Sequence, residues 1–94
     1  MYYCLICTDK PDSLALRLAT REAHLKYWAE AGDVVRIGGP FLGADETSPN
    51  GSLLVVEAES HAKAVKLAEG DPYNVAGLFA SIDVRAWRWL LPAK

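Results

Sequence analysis

Apolar residues recur along the chain with two periodicities. Four short apolar runs have the length of strands, and two longer stretches carry apolar residues at helical spacing. The predicted strands are residues 2–8, 34–42, 52–58 and 81–91, and the predicted helices are residues 13–31 and 61–69. The order strand, helix, strand, strand, helix, strand predicts a ferredoxin-like α+β fold. In this βαββαβ fold, both helices lie on one face of a four-stranded antiparallel sheet.

Two helices cover only one face of such a sheet. The first and third predicted strands carry apolar residues on both faces, so the second face also needs a cover. Along the last strand, Trp87 and Trp89 fall on the face that is polar earlier in the strand, and aromatic residues are enriched in interface cores. We therefore expect a homodimer in which two copies pack through their sheet faces.

The first helix combines an apolar stripe with basic residues. At 100° per residue, the stripe consists of Leu14, Leu18, Leu25 and Trp28. Arg21 falls inside the stripe, whereas Arg17 and His24 fall at its margin. A cation on a core-facing stripe either pairs with an anion or extends its charged end to water. Arg21 and His24 are three residues apart and therefore neighbours, so they are candidates for a site, although a half-buried structural histidine is an equally simple interpretation.

The dipeptide Asp71-Pro72 follows the second helix and precedes Tyr73. Aspartate before proline is typical of a helix start, with the acid as N-cap and proline in the first turn. A second interpretation, compatible with the first, is that the Asp71 carboxylate faces His24. Tyr73 would then place a phenol hydroxyl beside the same pair.

The sequence Gly38-Gly39-Pro40 interrupts the second predicted strand. Glycine in a strand often marks a bulge or a close backbone approach, and proline removes a ladder donor. The segment is therefore either a bend or the border of a ligand site at Gly39 and Pro40. Further along, Asn50-Gly51 is a hairpin signal and predicts a turn before the third strand.

Composition narrows the function classes. The chain has 94 residues, 51% of them hydrophobic, and a net charge of −2, which predicts one small domain over residues 1–94. The scattered charges form no basic patch, which argues against nucleic acid as a partner. No apolar run approaches the roughly 20 residues that span a bilayer, and we expect no membrane association. The N-terminal segment lacks signal-peptide features, so the expected location is the cytoplasm.

The two cysteines, Cys4 and Cys7, form a C-x-x-C string within the first predicted strand. Residues three apart in a strand point to opposite faces, so the two thiols cannot share a metal ion or pair with each other. A zinc site would also need further ligands. We interpret both cysteines as packing residues and predict no metal and no organic cofactor.

Five short motifs together resemble the YCII-related (YciI-like) family, whose members belong to the dimeric α+β barrel superfamily. The motifs are Arg-Glu-Ala-His-Leu at 21–25, Gly-Gly-Pro at 38–40, Gly-Ser-Leu at 51–53, Asp-Pro-Tyr at 71–73 and Ala-Gly-Leu-Phe at 76–79. The resemblance covers nearly the whole chain. It implies a ferredoxin-like fold, a dimer formed through the sheets, and a site built on His24 and Asp71. One family member, described as using such a dyad, eliminates chloride from a chlorinated hydroxyhydroquinone.

The residues and the resemblance lead to one functional hypothesis and one alternative. In the first, His24 takes a proton from a small organic ligand, with aromatic and phenolic compounds among the candidates, in a lyase-type reaction. Asp71 orients the imidazole, while Arg21 and Tyr73 bind a ligand oxygen anion. In the alternative, the protein is a non-enzymatic dimer that binds a small molecule or acts as an accessory protein.

Overall fold

The computed structural model describes residues 1–93 and contains every predicted strand and helix. Its elements are β1 (Tyr2–Asp9), α1 (Leu14–Ala31), β2 (Val35–Leu42), β3 (Pro49–Glu57), α2 (His61–Glu69), α3 (Pro72–Val75) and β4 (Phe79–Trp87). The additions to the predicted order are a 3₁₀ turn at Gly32–Val34 and the single helical turn α3. Gly32 ends α1 at φ 63° and ψ −128°, a positive-φ conformation that glycine adopts without strain.

The four strands form one sheet in the order β2-β3-β1-β4, and every neighbouring pair is antiparallel. In the central strand β1, Leu5 lies opposite Leu54 of β3 and Val84 of β4. The edge strand β2 pairs with β3 alone, and its register shifts between Val35 and Ile37. The predicted ferredoxin-like fold is confirmed.

The core lies between the sheet and the helices. Along β1, Tyr3, Leu5 and Cys7 are buried and alternate with partly exposed residues, as expected for a strand with one fully covered face. In α2, Ala64 and Ala68 are almost completely buried, and their small side chains allow the helix to pack closely against the sheet.

The end of α2 is pressed against α1. The Tyr27 hydroxyl donates a hydrogen bond to the Leu67 carbonyl at 2.8 Å. A Cβ atom on Gly70 would lie 2.6 Å from the same Tyr27 hydroxyl oxygen, so no larger residue fits there without a shift. This contact fixes the position of the chain that leads into Asp71.

The other face of the sheet carries Tyr2, Cys4, Ile6 and Leu53, all half-buried. Tyr2 also contacts the Trp87 and Trp89 rings, with centroids 6.4 and 5.8 Å away. Cys4 lies on this face and Cys7 lies in the core, and both are free thiols. We call this face the outer face.

The turn predicted at Asn50-Gly51 is wrong, because both residues lie inside β3. The turn is the loop 43–48, in which the Asp45 carboxylate accepts hydrogen bonds from the Ser48 hydroxyl and backbone N–H. These bonds lower the pKa of Asp45 to about 2. Gly51 serves a different purpose: a Cβ atom there would lie 2.6 Å from the Cys7 carbonyl oxygen, so the residue permits a close approach of two strands.

The last strand ends at Trp87 and not at residue 91 as predicted. Trp87 pairs with Tyr2, the first residue of β1, so the ladder has no partner strand beyond this point. The following Trp89 instead donates its indole N–H to the Pro92 carbonyl at 2.8 Å. Within residues 1–93, no helix has the length and apolar character required to cross a bilayer.

Candidate functional site

The buried side of α1 is not the stripe that periodicity predicts. Three of the four stripe residues are substantially exposed: Leu14 (41%), Leu18 (56%) and Leu25 (47%). The buried residues of the helix are Arg17 and Trp28, and Arg21 is exposed. The prediction that the centre of this stripe faces the core is therefore wrong. Leu18 and Leu25 line a cavity, while the margin that carries Arg17 and His24 faces the protein interior.

His24 and Asp71 are in contact, as the sequence predicted. The His24 Nδ1 atom lies 2.9 Å from Asp71 Oδ1 and 2.8 Å from Oδ2. The Asp71 side chain is 1% exposed and that of His24 is 14% exposed. An ionised carboxylate only accepts hydrogen bonds, so beside such a carboxylate Nδ1 is the donor, and in a neutral ring Nε2 is then the acceptor nitrogen.

Asp71 is also the N-cap of α3, so both interpretations of the Asp-Pro dipeptide hold. Its Oδ1 atom accepts a hydrogen bond from the Tyr73 backbone N–H at 2.9 Å. Its Oδ2 atom accepts one from the Trp28 indole N–H, also at 2.9 Å. Donors from three residues thus surround a buried carboxylate, which would be costly to bury unpaired.

The Tyr73 ring connects His24 to Arg17. It stacks on the His24 ring with centroids 4.1 Å apart and planes 18° apart, and the Arg17 guanidinium carbon lies 4.4 Å from its centroid. Arg17 and His24 are seven residues apart on α1, a rise of about 10.5 Å, so Tyr73 fits between them. Burial raises the pKa of Tyr73, while the Arg17 charge opposes the shift. The hydroxyl therefore remains protonated at neutral pH and is able to donate.

Arg17 is the anchor of a buried polar cluster. Its Nε and Nη2 atoms lie 2.6 and 2.9 Å from the two carboxylate oxygens of Asp9, and Nη2 donates to the Ser52 hydroxyl at 2.9 Å. Burial lowers the pKa of Arg17, but the hydrogen bond and charge of Asp9 outweigh it, and the net shift is upward. No role for Arg17 followed from the apolar pattern, and its seven-residue spacing from His24 was the available signal.

A cavity of about 490 Å³ lies between α1 and the strands β2 and β3. Its polar part is formed by Arg17, Arg21, His24, Arg36, Ser52 and Tyr73, and the apolar part includes Leu18, Leu25, Trp28, Pro40 and Leu54. No aspartate or glutamate is among the residues that line it in the described part of the chain. Since the lining is cationic and apolar, an anionic organic molecule suits this space better than a cation.

The glycine pair of β2 borders the cavity in two different ways. Gly38 lies opposite Leu54, and a Cβ atom on Gly38 would be 3.2 Å from Leu54 Cδ2. Gly39 lies opposite Leu53, and a Cβ atom there would have nothing within 4 Å. Gly39 and Pro40 line the cavity, as predicted. The glycine whose lack of a side chain leaves room beside Leu54, however, is Gly38.

A ferredoxin-like sheet with a His–Asp pair beside a cavity on its helical face places the chain among small α+β proteins of this fold. The family model described as the YCII-related domain matches residues 1–88. This chain belongs to the YCII-related family, and the resemblance inferred from the motifs is confirmed.

Three relatives illustrate the similarity. Protein YciI of Escherichia coli O6:H1 is 34% identical over 95 residues, which cover 94% of this chain and 97% of that protein. A solved structure, 5-chloro-2-hydroxyhydroquinone dehydrochlorinase from Burkholderia phenoliruptrix AC1100 in complex with 2,5-dihydroxybenzoquinone, is 35% identical with a TM-score of 0.89 over 100% of both chains. A protein of Nitrosomonas europaea, 20% identical with a TM-score of 0.54 over 99% of this chain and 92% of its own, shares the fold alone.

Proposed function

We propose that this protein is a small lyase-type enzyme in which His24 accepts a proton from an organic anion bound in the cavity. The observation that carries the proposal is the contact of His24 Nδ1 with both oxygens of the buried Asp71, at 2.9 and 2.8 Å, beside an accessible cavity. The similarity to a dehydrochlorinase supports the reaction class.

The chemistry follows from this geometry. Asp71 fixes the tautomer of His24 and stabilises the imidazolium that forms when Nε2 takes a proton. The stacked Tyr73 ring limits rotation of the imidazole. Removal of HCl from a ligand requires a base for the proton and a path for chloride to leave with its bonding electrons, and it requires no oxidant. A positioned general base contributes about 10² to 10⁴ in rate.

We further propose a flat ring with oxygen substituents as the ligand class. Arg21 lies three residues before His24 and has no acidic partner among the pairs found in residues 1–93, so its charge is available to a ligand oxygen anion. Tyr73 offers a neutral hydroxyl, and Leu18 and Leu25 offer apolar surface. The ligand of the dehydrochlorinase, 2,5-dihydroxybenzoquinone, has this chemistry.

The test is chloride release from 5-chloro-2-hydroxyhydroquinone, followed with an ion-selective electrode. His24→Ala and Asp71→Asn should each lower kcat/KM by roughly 10²-fold or more. His61→Ala is the matched control, because His61 is exposed and contacts the Val84 carbonyl, away from the cavity. Its rate should stay within about twofold of the parent protein. Undiminished chloride release by both site variants would end the proposal.

The alternative function is ligand binding without catalysis. It is supported by the same observation, that Arg21 has no acidic partner among the ion pairs found in residues 1–93. In that case 2,5-dihydroxybenzoquinone binds unchanged, as measured by calorimetry, and no proton exchanges at a ligand carbon in deuterium oxide. Arg21→Ala should weaken binding under either function, with Lys26→Ala on the opposite side of α1 as its control. Proton exchange that depends on His24 distinguishes the enzyme from the binding protein.

We also propose that two copies associate through the outer face. The half-buried Ile6 lies at its centre, paired with Leu53 on one side and Asp83 on the other. Sedimentation at micromolar concentration should give the mass of a dimer, and Ile6→Lys should give a folded monomer. A monomeric parent protein contradicts the proposal. The cytoplasmic location likewise stays a prediction, which cell fractionation checks.

A further inference from the structure

Trp28 gives Asp71 a second side-chain hydrogen bond from α1. Its indole N–H lies 2.9 Å from Asp71 Oδ2, the oxygen that is also 2.8 Å from His24 Nδ1. Trp28 is four residues after His24, so both side chains approach the carboxylate from adjacent turns of one helix. The indole is 5% exposed and packs edge-to-face on Tyr27, with centroids 5.0 Å apart. Its orientation is therefore fixed by the surrounding packing.

We propose that Trp28 is a positioning residue of the His24–Asp71 pair and that its indole N–H lowers the affinity of His24 for a proton. Trp28 acts through Asp71 and has no role as an acid or base. The catalytic meaning of this inference rests on the proposed function, whereas the effect on proton affinity is a property of the protein alone.

The direction of the effect follows from the charge on the carboxylate. When His24 is neutral, Asp71 carries its full negative charge and the indole N–H forms a charge-assisted hydrogen bond, the stronger type. When His24 is protonated, the imidazolium neutralises much of that charge and the indole bond weakens. The indole therefore stabilises the pair with a neutral His24, which is the form that accepts a proton from a ligand.

The other titratable and charged groups do not obscure this titration. Those around the pair are Arg17, Arg21 and Tyr27 on α1, Arg36 on β2, Tyr73 on α3 and Cys7 on β1. Burial raises the pKa of Tyr27 and of Tyr73, and burial together with the Asp71 charge raises that of Cys7 to about 12. The three arginines are cationic throughout. A pH-dependent step of the Trp28 signal that depends on His24 therefore reports the His24–Asp71 pair.

The experiment uses NMR of the ¹⁵N-labelled protein and requires no ligand. Three tryptophans give three indole N–H signals, and Trp28→Phe assigns one by its loss. The Trp28 signal should move with pH at the same midpoint as the His24 Cε1–H signal. In Trp28→Phe, the His24 midpoint should rise by about 0.5 to 1 pH unit, which is part of the roughly 1 to 2 pH units that a whole hydrogen bond to a charged group represents, because the bond weakens but persists when His24 is protonated. An unchanged midpoint, or a Trp28 signal that ignores the titration, overturns the inference.

Two further variants separate this effect from loss of structure. His24→Gln leaves the indole in place, and its Trp28 signal should lose the pH-dependent step; a step that persists overturns the inference even if Trp28→Phe does not fold. Trp87→Phe makes the same exchange on the outer face, beside Tyr2, and should leave the His24 midpoint unchanged. If the His24 midpoint shifts in Trp28→Phe but neither the parent protein nor any variant releases chloride, the proposed function is wrong and this inference still holds.

Discussion

Replacing Asp9 with asparagine removes the negative partner of a cation that the fold has buried. The Arg17 and Asp9 side chains are each 4% exposed and joined by two hydrogen bonds of 2.6 and 2.9 Å. Breaking a buried pair from one side typically costs about 3 to 5 kcal/mol. Ser52 and the Tyr73 ring still contact the guanidinium, so we expect the lower end, about 3 kcal/mol. At about 4 to 8 °C per kcal/mol for a domain of this size, Tm should fall by about 12 to 24 °C.

Urea unfolding measures the free energy and thermal unfolding measures Tm, both followed by circular dichroism at one fixed protein concentration because self-association would shift apparent stability. Glu59→Gln is the matched control, since it makes the same carboxylate-to-amide change in an exposed pair. Glu59 and Lys63 lie 2.8 Å apart and are 84% and 61% exposed. Pairs of this kind are worth about 1 kcal/mol or less.

The double variant Asp9→Asn/Arg17→Met tests the reasoning itself. It should recover much of the stability lost in Asp9→Asn, because no uncompensated buried cation remains. The two single changes should therefore be strongly non-additive. Equal losses for Asp9→Asn and Glu59→Gln, or additive effects in the double variant, would refute the view that burial makes this pair costly to break.

Two further predictions concern the cavity wall and the core thiol. Gly38→Ala should weaken binding of 2,5-dihydroxybenzoquinone by about tenfold, the scale of one misplaced methyl group, because its Cβ atom meets Leu54 at 3.2 Å. Gly39→Ala is the control: its Cβ atom meets nothing within 4 Å, and the variant should bind as the parent protein does. Equal losses of affinity in calorimetry would contradict this prediction. Cys7, whose pKa burial raises from 9.0 to about 12, should resist iodoacetamide at pH 8 in the folded protein. Because the pKa of Cys7 is higher in the folded than in the unfolded chain, the contribution of this thiol to the free energy of unfolding is fully present below pH 9 and should decline towards pH 12. Unfolding curves of Cys7→Ala should show a smaller decline over this pH range.

The order of the elements was predictable because periodicity reports which residues of a segment share a face. The exceptions depend on contacts between segments. Asn50-Gly51 has the composition of a turn, but Gly51 is needed where β3 approaches the Cys7 carbonyl. Likewise, the apolar pattern continues past Trp87, but β1 provides no residue before Tyr2 for β4 to pair with in the ladder.

The site was predictable in part. Motif order identified His24 and Asp71, because the resemblance supplied the pairing between distant segments. Periodicity could not identify Arg17 or Trp28 as members of the same cluster. Each residue's role depends on acceptors supplied by other elements, the Asp9 carboxylate at the end of β1 and the Asp71 carboxylate before α3. A pattern along one helix contains no information about such partners.

The close contact between Gly70 and Tyr27 gives the two walls of the cavity different stiffness. On one side, α1 and the segment that holds Asp71 are locked together by steric contact and by the Tyr27 hydroxyl bond. On the other side, β2 is an edge strand held by β3 alone. Any opening of the cavity should therefore involve outward bending of β2, and the separation of His24 and Asp71 should stay the same.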